Sequence, residues 1–365
     1  MLLLALVGVL SIIGLVMVLS SSSVYALRSE GSTWDYFIKQ SIWLTLGSAA
    51  MFITLKVDYR YWRKFSTPFL CIAIFLLFLV FIPGVGIKVN GAKSWIGIGS
   101  TLRVQPSELV KLALLLFTAD LLARRSNRLH DIRVSVFPIL IIFFFVATLM
   151  MLQPDLGSTL VMVAIIFSLF FIAGVPILPL SAVGLGAGTL AILGALTAGY
   201  RSDRISVFLN PASDPQGAGY QINRSLIGVA SGQTNGLGLG ASRSKWGFLP
   251  NAHTDFIFAI ISEELGLIGS MLVISLFGAF AFLGMRAALN APDRFGALMA
   301  GGLTAWIMTQ AIVNLGGVVG LLPITGLTLP FVSYGGSSLV ISMAATGVLL
   351  NVARLGRVRV VSQVG

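Results

Sequence analysis

Ten apolar stretches follow one another along the chain, at about residues 2–19, 38–55, 68–82, 108–123, 134–152, 157–174, 177–198, 255–284, 295–320 and 335–352. A helix that crosses a bilayer needs roughly 20 mostly apolar residues. The pattern therefore predicts one fold class: an all-α, polytopic integral membrane protein of about ten transmembrane helices, built as a single domain over 1–365. Only 10% of the residues are charged, against about 25% in a soluble domain. That is too few to cover a water-facing surface, and it excludes a soluble enzyme, a disordered scaffold and a collagen-like fibre. The first stretch starts at residue 2 with no charged region before it, and no small-residue cleavage site stands out at Ser20–Ser23. It reads as a retained span rather than a signal peptide. With one cysteine, Cys71, no disulfide can form within the chain, and His130 and His253 are too few for a Cys/His metal cluster.

Lysine and arginine set the orientation. With both termini on the cytoplasmic side, the inner loops and tail hold Lys56, Arg60, Arg63, Lys64, Arg124, Arg125, Arg128, Arg133, Arg286, Arg294, Arg354, Arg357 and Arg359, thirteen in all, against five (Arg28, Lys39, Lys88, Lys93 and Arg103) in the outer loops apart from the long 199–254 segment, whose further five count less in this rule. Two long loops, 83–107 and 199–254, then lie outside. Long ordered loops commonly carry function, so the working face is expected to be external. Both loops are basic: Lys88, Lys93 and Arg103 stand without an acid in the first, and Arg201, Arg204, Arg224, Arg243 and Lys245 face only Asp203 and Asp214 in the second. Cations outside run against the usual bias. They suit either anionic headgroups or a phosphorylated lipid substrate. The net charge of +11 has the same two readings; nucleic acid is not expected, because no long soluble basic segment exists.

Ionisable residues at or within the spans are the candidate site, since such groups are rare there and usually line a path or a site. Glu108 and Lys111 open the fourth span three residues apart, so they share a helix face and can pair. Lys111 could simply neutralise a helix-start carboxylate, or it could face a cavity and meet an anion. Asp255 stands at the outer start of the eighth span beside His253. Thr254 or Asp255 could serve as a helix cap; alternatively, a carboxylate at this boundary near cations could act as a general base. Glu263 and Glu264 lie roughly 12–14 Å further down the same helix and point about 100° apart. A structural pairing is the preferred reading for them, a proton relay the other. Asp155, in the turn Gln153–Ser158, reads as a helix cap. The run Gly236–Gly240 lacks the Lys-Ser/Thr pair of a phosphate loop, and its glycines are expected to let loop backbone pack closely at the membrane surface.

Taken together, five ordered runs resemble the SEDS family, the shape, elongation, division and sporulation proteins that include RodA and FtsW. They are Gln105–Lys111 (QPSELVK), Gln153–Ser158 (QPDLGS), Asn210–Gln221 (NPASDPQGAGYQ), Leu249–Gly266 (LPNAHTDFIFAIISEELG) and Leu322–Ser338 (LPITGLTLPFVSYGGSS). Within the family, the lack of a cytoplasmic N-terminal extension looks more like the RodA branch, which is slightly preferred, while Gly236–Gly247 looks more like FtsW. The resemblance implies a peptidoglycan glycosyltransferase that polymerises lipid II on the outer face of the bacterial cytoplasmic membrane, working with a class B penicillin-binding protein. The family's catalytic aspartate maps onto Asp255 and its polar cavity pair onto Glu108 and Lys111. Asn251 stands where the family often has Glu, which makes a metal site built on that position less expected, and Thr328 stands where Pro is common.

Lipid II carries an α-linked pyrophosphate and the product is β-1,4 linked, so the anomeric carbon inverts. One-step inversion needs a base but no enzyme nucleophile, and Asp255 can meet that need. Pyrophosphate leaves without protonation and needs charge stabilisation, from Arg103, Arg201, Arg204, Arg243, Lys245 and His253 or from a divalent cation. No other cofactor is implied. The alternative reading is a lipid II flippase, with Lys111, Glu263 and Glu264 along a transit path; a structural scaffold explains neither the carboxylates nor the basic loops.

Overall fold

The computed structural model describes residues 1–89, 92–98, 102–176, 180, 181, 184, 207, 208, 210, 214 and 216–364. The seventh apolar stretch, 177–198, falls almost wholly outside them, as do Arg201 and Arg204. The helices are α1 (Leu2–Glu30), α2 (Asp35–Lys56), α3 (Tyr59–Leu79), α4 (Pro106–Arg124), α5 (Ile132–Ser135), α6 (Phe137–Leu152), α7 (Leu156–Ala173), α8 (Ala218–Ser231), α9 (Ile257–Leu289), α10 (Arg294–Val318) and α11 (Gly336–Val364). Nine of them coincide with the other nine apolar stretches. Six are long and apolar enough to cross a membrane by composition, and α2, α4 and the shorter α6 complete the helical bundle.

Helix starts follow local chemistry. Pro106 sits in the first turn of α4, where its missing N–H costs nothing. Asp155 caps α7 by accepting from Ser158 N at 3.0 Å, and Asp293 caps α10 by accepting from Gly296 N at 2.7 Å. Between helices, small residues permit close approach: a Cβ at Gly347 of α11 would run into Thr54 and the Met51 carbonyl of α2, and one at Gly284 of α9 into Thr304 of α10. Thr54 Oγ1 also donates to Ala344 O across the α2–α11 contact, at 2.9 Å.

The two ends of the bundle differ chemically. At one end, Asp120 accepts from both Arg63 (2.8 Å) and Arg124 (2.7 Å), Tyr59 donates to Asp293 (2.7 Å), Asn351 bridges Tyr59 N and Leu55 O, and Arg294 donates to Ala173 O (2.6 Å). This is the arginine-rich end, read from the sequence as cytoplasmic. The opposite end gathers the loops. There the described residues between α3 and α4 include a three-stranded antiparallel sheet, β1 (Gly86–Val89), β2 (Ala92–Ile98) and β3 (Leu102–Val104), an addition to the all-helical expectation. Main-chain pairing across the sheet spares this loop unsatisfied peptide groups.

The second long loop is also more than a surface excursion. After α8, residues 233–238 pair through the main chain with a break in α9 at Gly266 (φ 66°, ψ −162°). Leu237 N and Gly238 N donate to Glu263 O and Glu264 O, both at 3.0 Å, and Leu267 N donates to Gln233 O at 2.9 Å. The broken helix frees carbonyls and amides, and the loop takes them up. Gly236 lies at φ +78°, and a Cβ there would collide with the Glu264 carbonyl. The glycine run therefore packs against an interrupted helix rather than along a membrane surface.

Candidate active site

Asp255 lies in the turn 251–256 that leads into α9, half-buried at the loop end. The cap position of α9 is Phe256, whose side chain makes no capping bond, and Thr254 Oγ1 donates to Asn251 O at 3.2 Å. The capping role weighed for Thr254 is thus not the one the structure uses. The turn is held from outside. Asn314 Nδ2 donates to Asp255 O (2.8 Å), Ser333 Oγ to Thr254 O (2.6 Å) and Tyr334 N to His253 O (3.0 Å). Three successive main-chain oxygens are therefore pinned by α10 and the 322–335 segment. Asp255, Phe256, Asn314, Gly317, Thr325 and Gly326 line a small cleft. Gly326 adopts φ +75°, a conformation that glycine permits, and its Cα side lies beside Asp255: a Cβ there would stand 3.8 Å from Asp255 Oδ2, in ordinary contact.

His253 is set among Tyr25, Tyr36 and Tyr334, with ring centroids 5.4, 4.8 and 5.9 Å away. Burial there pulls its pKa from the usual 6.5 down to about 4. It is a neutral ring in an aromatic box at neutral pH, not a cation for pyrophosphate. The three tyrosines come from α1, α2 and the 322–335 segment and carry no local sequence signal that joins them.

Glu108 and Lys111 do pair, at 2.8 Å, but inside the bundle rather than at a cavity mouth: Lys111 is 0% exposed. Its ammonium also donates to Gln310 Oε1 (3.1 Å) and lies 5.4 Å from the Trp306 ring centroid. A lysine so enclosed is stable as a cation only with such partners, which corrects the expectation that Lys111 faces an anion. Glu108 Oε2 is buried with no hydrogen-bond partner among the described residues.

Glu263 and Glu264 occupy two faces of one structural cluster. Glu263 accepts from Ser242 Oγ (2.6 Å), Arg243 N (2.9 Å) and Ser244 N (3.3 Å). Glu264 accepts from Ser20 Oγ (2.6 Å), Ser242 N (3.3 Å) and Lys245 Nζ (3.4 Å). Lys245 is itself buried and also donates to Gly240 O at 2.6 Å. It was expected among the substrate cations; its charge is committed here. The Arg243 side chain is exposed. Arg103, on β3, is half-buried, and its Nε has no partner among the described residues. Asp155 accepts from Gln105 Nε2 (3.1 Å) and Ser107 Oγ (2.9 Å) besides its capping bond, and so ties the start of α4 to that of α7. No three His, Cys, Asp or Glu side chains come together among the described residues.

The sequence reading did not single out Gln310 and Asn314. Their signal was available: two carboxamides four residues apart in an apolar span lie on one helix face.

Residues 1–357 match the FtsW/RodA/SpoVE family, described as cell cycle proteins. The chain is 45% identical over 346 residues to stage V sporulation protein E of Bacillus subtilis, covering 94% of each. It is 38% identical to a probable peptidoglycan glycosyltransferase FtsW of Trichlorobacter lovleyi, covering 96% of this chain and 92% of that one. Among solved structures it resembles a chain of a peptidoglycan synthase complex that coordinates polymerization and crosslinking (TM-score 0.79, 30% identity, 97% of each chain). It also resembles the rod shape determining protein RodA of Thermus thermophilus (TM-score 0.71, 30% identity, 96% of this chain and 95% of that one). The SpoVE and FtsW relatives are thus closer in sequence than this RodA, the branch preferred from the sequence.

Proposed function

This chain belongs to the FtsW/RodA/SpoVE family, and from that premise we propose that it is a peptidoglycan glycosyltransferase that polymerises lipid II at the loop end of its bundle, with Asp255 as the general base. The observation that carries the reading is the placing of Asp255. Its backbone carbonyl and the two before it are each held by a donor, and it lines a cleft beside Gly326.

In the proposed step, the Asp255 carboxylate takes the proton of the acceptor sugar hydroxyl. The oxygen attacks the anomeric carbon of the donor, and the bond to pyrophosphate breaks with its electron pair. A single displacement at an α-linked donor inverts to the β-1,4 product with no covalent enzyme intermediate. The leaving group needs opposite charge rather than a proton. Arg103, with a buried Nε that has no partner among the described residues, and the exposed Arg243 are candidates to supply it; Arg201 and Arg204, outside the described residues, share the same basic loops. A class B penicillin-binding protein would receive the new strand for crosslinking, in keeping with the synthase-complex chain that this fold resembles. The arginine-rich end would then face the cytoplasm of the inner membrane and the loop end the outside.

A flippase would need carboxylates open to a path. Glu263 and Glu264 are instead satisfied by main-chain amides, serines and Lys245. The deciding experiment is polymerisation by purified chain in detergent, where no two sides exist to flip between. Glycan ladders from lipid II support the polymerase; their absence with an active, partnered preparation sinks it.

A further inference from the structure

Two carboxamides on α10 connect the buried ion pair to the candidate base. Gln310 and Asn314 are four residues apart, one turn on the same helix face, and are 0% and 4% exposed. Gln310 Oε1 accepts from Lys111 Nζ (3.1 Å) and from Trp306 Nε1 (3.2 Å). Two donors on one oxygen fix the amide, so Nε2 must point the other way, and it donates to Thr328 O at 3.1 Å. One turn on, Asn314 Nδ2 donates twice, to Leu327 O (2.6 Å) and to Asp255 O (2.8 Å). The reversed amide would set Oδ1 against two carbonyls, so this orientation is determined as well. Consecutive carbonyls of the 322–335 segment are thus gripped from α10, and the amide that grips the first of them also grips Asp255.

We propose that Asn314 and Gln310 are positioning residues for Asp255, and that the Glu108–Lys111 pair serves the reaction through Gln310 rather than by touching substrate. The proposal rests on the reading of Asp255 as the base. A general base works only within hydrogen-bond reach of the proton it takes, and a misplacement of about 1 Å can cost about 100-fold in rate. The main chain that carries the Asp255 carboxylate is held at three successive carbonyls, and Asn314 supplies the bond at Asp255's own. Lys111 acts at one remove: it orients the amide that holds Thr328, the residue next to Leu327.

The test uses the full-length chain with its crosslinking partner and lipid II as the probe substrate. Asn314→Leu keeps the size and removes both donors; Gln310→Leu does the same one turn away. The expected result is a kcat about 10–100-fold below the parent with KM within about twofold, and an acid limb of the kcat–pH profile displaced from the parent's. A merely structural role lowers the amount of active protein and leaves kcat per folded molecule and the acid limb where they were; that result overturns the proposal. Asp255→Asn is run beside them. If it polymerises like the parent, the base reading fails first. If it is inactive while Asn314→Leu has parental kcat and an unmoved limb, the positioning role alone is overturned. Should Asn314→Leu not fold, Asn314→Ser, which keeps one donor, takes its place. Failure of both to fold assigns Asn314 to stability and equally overturns the proposal.

Discussion

Lys111 donates to Glu108 across 2.8 Å with neither side chain in contact with solvent. Removing one partner of a buried pair leaves an uncompensated charge, which typically costs about 3–5 kcal/mol. Lys111→Ala should therefore lower the unfolding midpoint sharply, before any question of activity arises. The double change Glu108→Lys with Lys111→Glu restores opposite charges but turns a carboxylate toward Gln310 Oε1. The amide must then reverse, and Thr328 O loses its donor. We expect the swap to recover most of the midpoint while polymerisation stays low. Recovery of both would show that the pair only supports the bundle.

Lys245 and Glu264 make the corresponding test in the other cluster, where they stand 3.4 Å apart and both are buried. Lys245→Met keeps the volume and strands the carboxylate on Ser20 and Ser242. A loss of several kcal/mol is expected, read as a fall in thermal midpoint. In the fraction that folds, KM for lipid II should match the parent. A selective rise in KM with an unchanged midpoint would return Lys245 to the substrate site.

The sequence carried the helices because hydropathy is a local signal: nine apolar stretches became nine helices, although α1 and α11 run on past the apolar stretch and α3 starts before it, through polar residues that hydropathy does not mark as helical. It also carried the Glu108–Lys111 pairing and the Asp155 cap, since both arise from residues three apart. What it did not carry are contacts between distant segments. The pairing of Leu237 and Gly238 with the break at Gly266 uses main-chain groups, which leave no side-chain pattern. The partner of Lys245 lies 19 residues away, just before that break. Burial of Lys111 depends on Trp306 and Gln310, nearly two hundred residues on. Apolar context around a lysine fits equally a cavity wall and a sealed interior, and only the tertiary packing decides between them.

Orientation can be read by labelling. Asn127 at the arginine-rich end and Ala241 at the loop end are both exposed. Single cysteines placed there in a Cys71→Ser background should react with an impermeant thiol reagent from opposite sides of sealed vesicles, Ala241→Cys from the outer side. Reaction of both from one side would place the candidate site on the wrong face for lipid II polymerisation outside the cell.

The aromatic box around His253 gives a pH dependence with a definite sign. Burial holds the folded pKa at about 4, against 6.5 for the free imidazole. The unfolded chain therefore binds a proton through that interval while the folded protein does not. The stabilising difference is complete above about pH 6.5 and is lost as the pH falls toward 4. His253→Phe keeps a ring among Tyr25, Tyr36 and Tyr334 and removes the titration. The thermal midpoint of the parent should fall between pH 6.5 and 4 more steeply than that of the variant. Parallel curves would mean that the imidazole is not desolvated.

Asp255→Asn isolates the chemistry from the fold. Asn has the same size, and the main-chain carbonyl that Asn314 holds is unchanged by it. The three main-chain bonds of the turn are untouched by the change, and the thermal midpoint should stay close to the parent's. A general base typically contributes about 100- to 10,000-fold, so the same protein should make little or no glycan. The variant should still insert, still co-purify with its penicillin-binding partner and still show the parental KM wherever a residual rate can be followed, since uniform binding is not what a base supplies. The measurement is a gel of glycan chains from parent and variant in detergent, beside the midpoint and the co-purification. Polymer from the parent and none from an intact variant assigns the proton transfer to Asp255. Equal polymer from both removes Asp255 from the reaction, and the pinned turn at 253–255 would then be a feature of the fold alone.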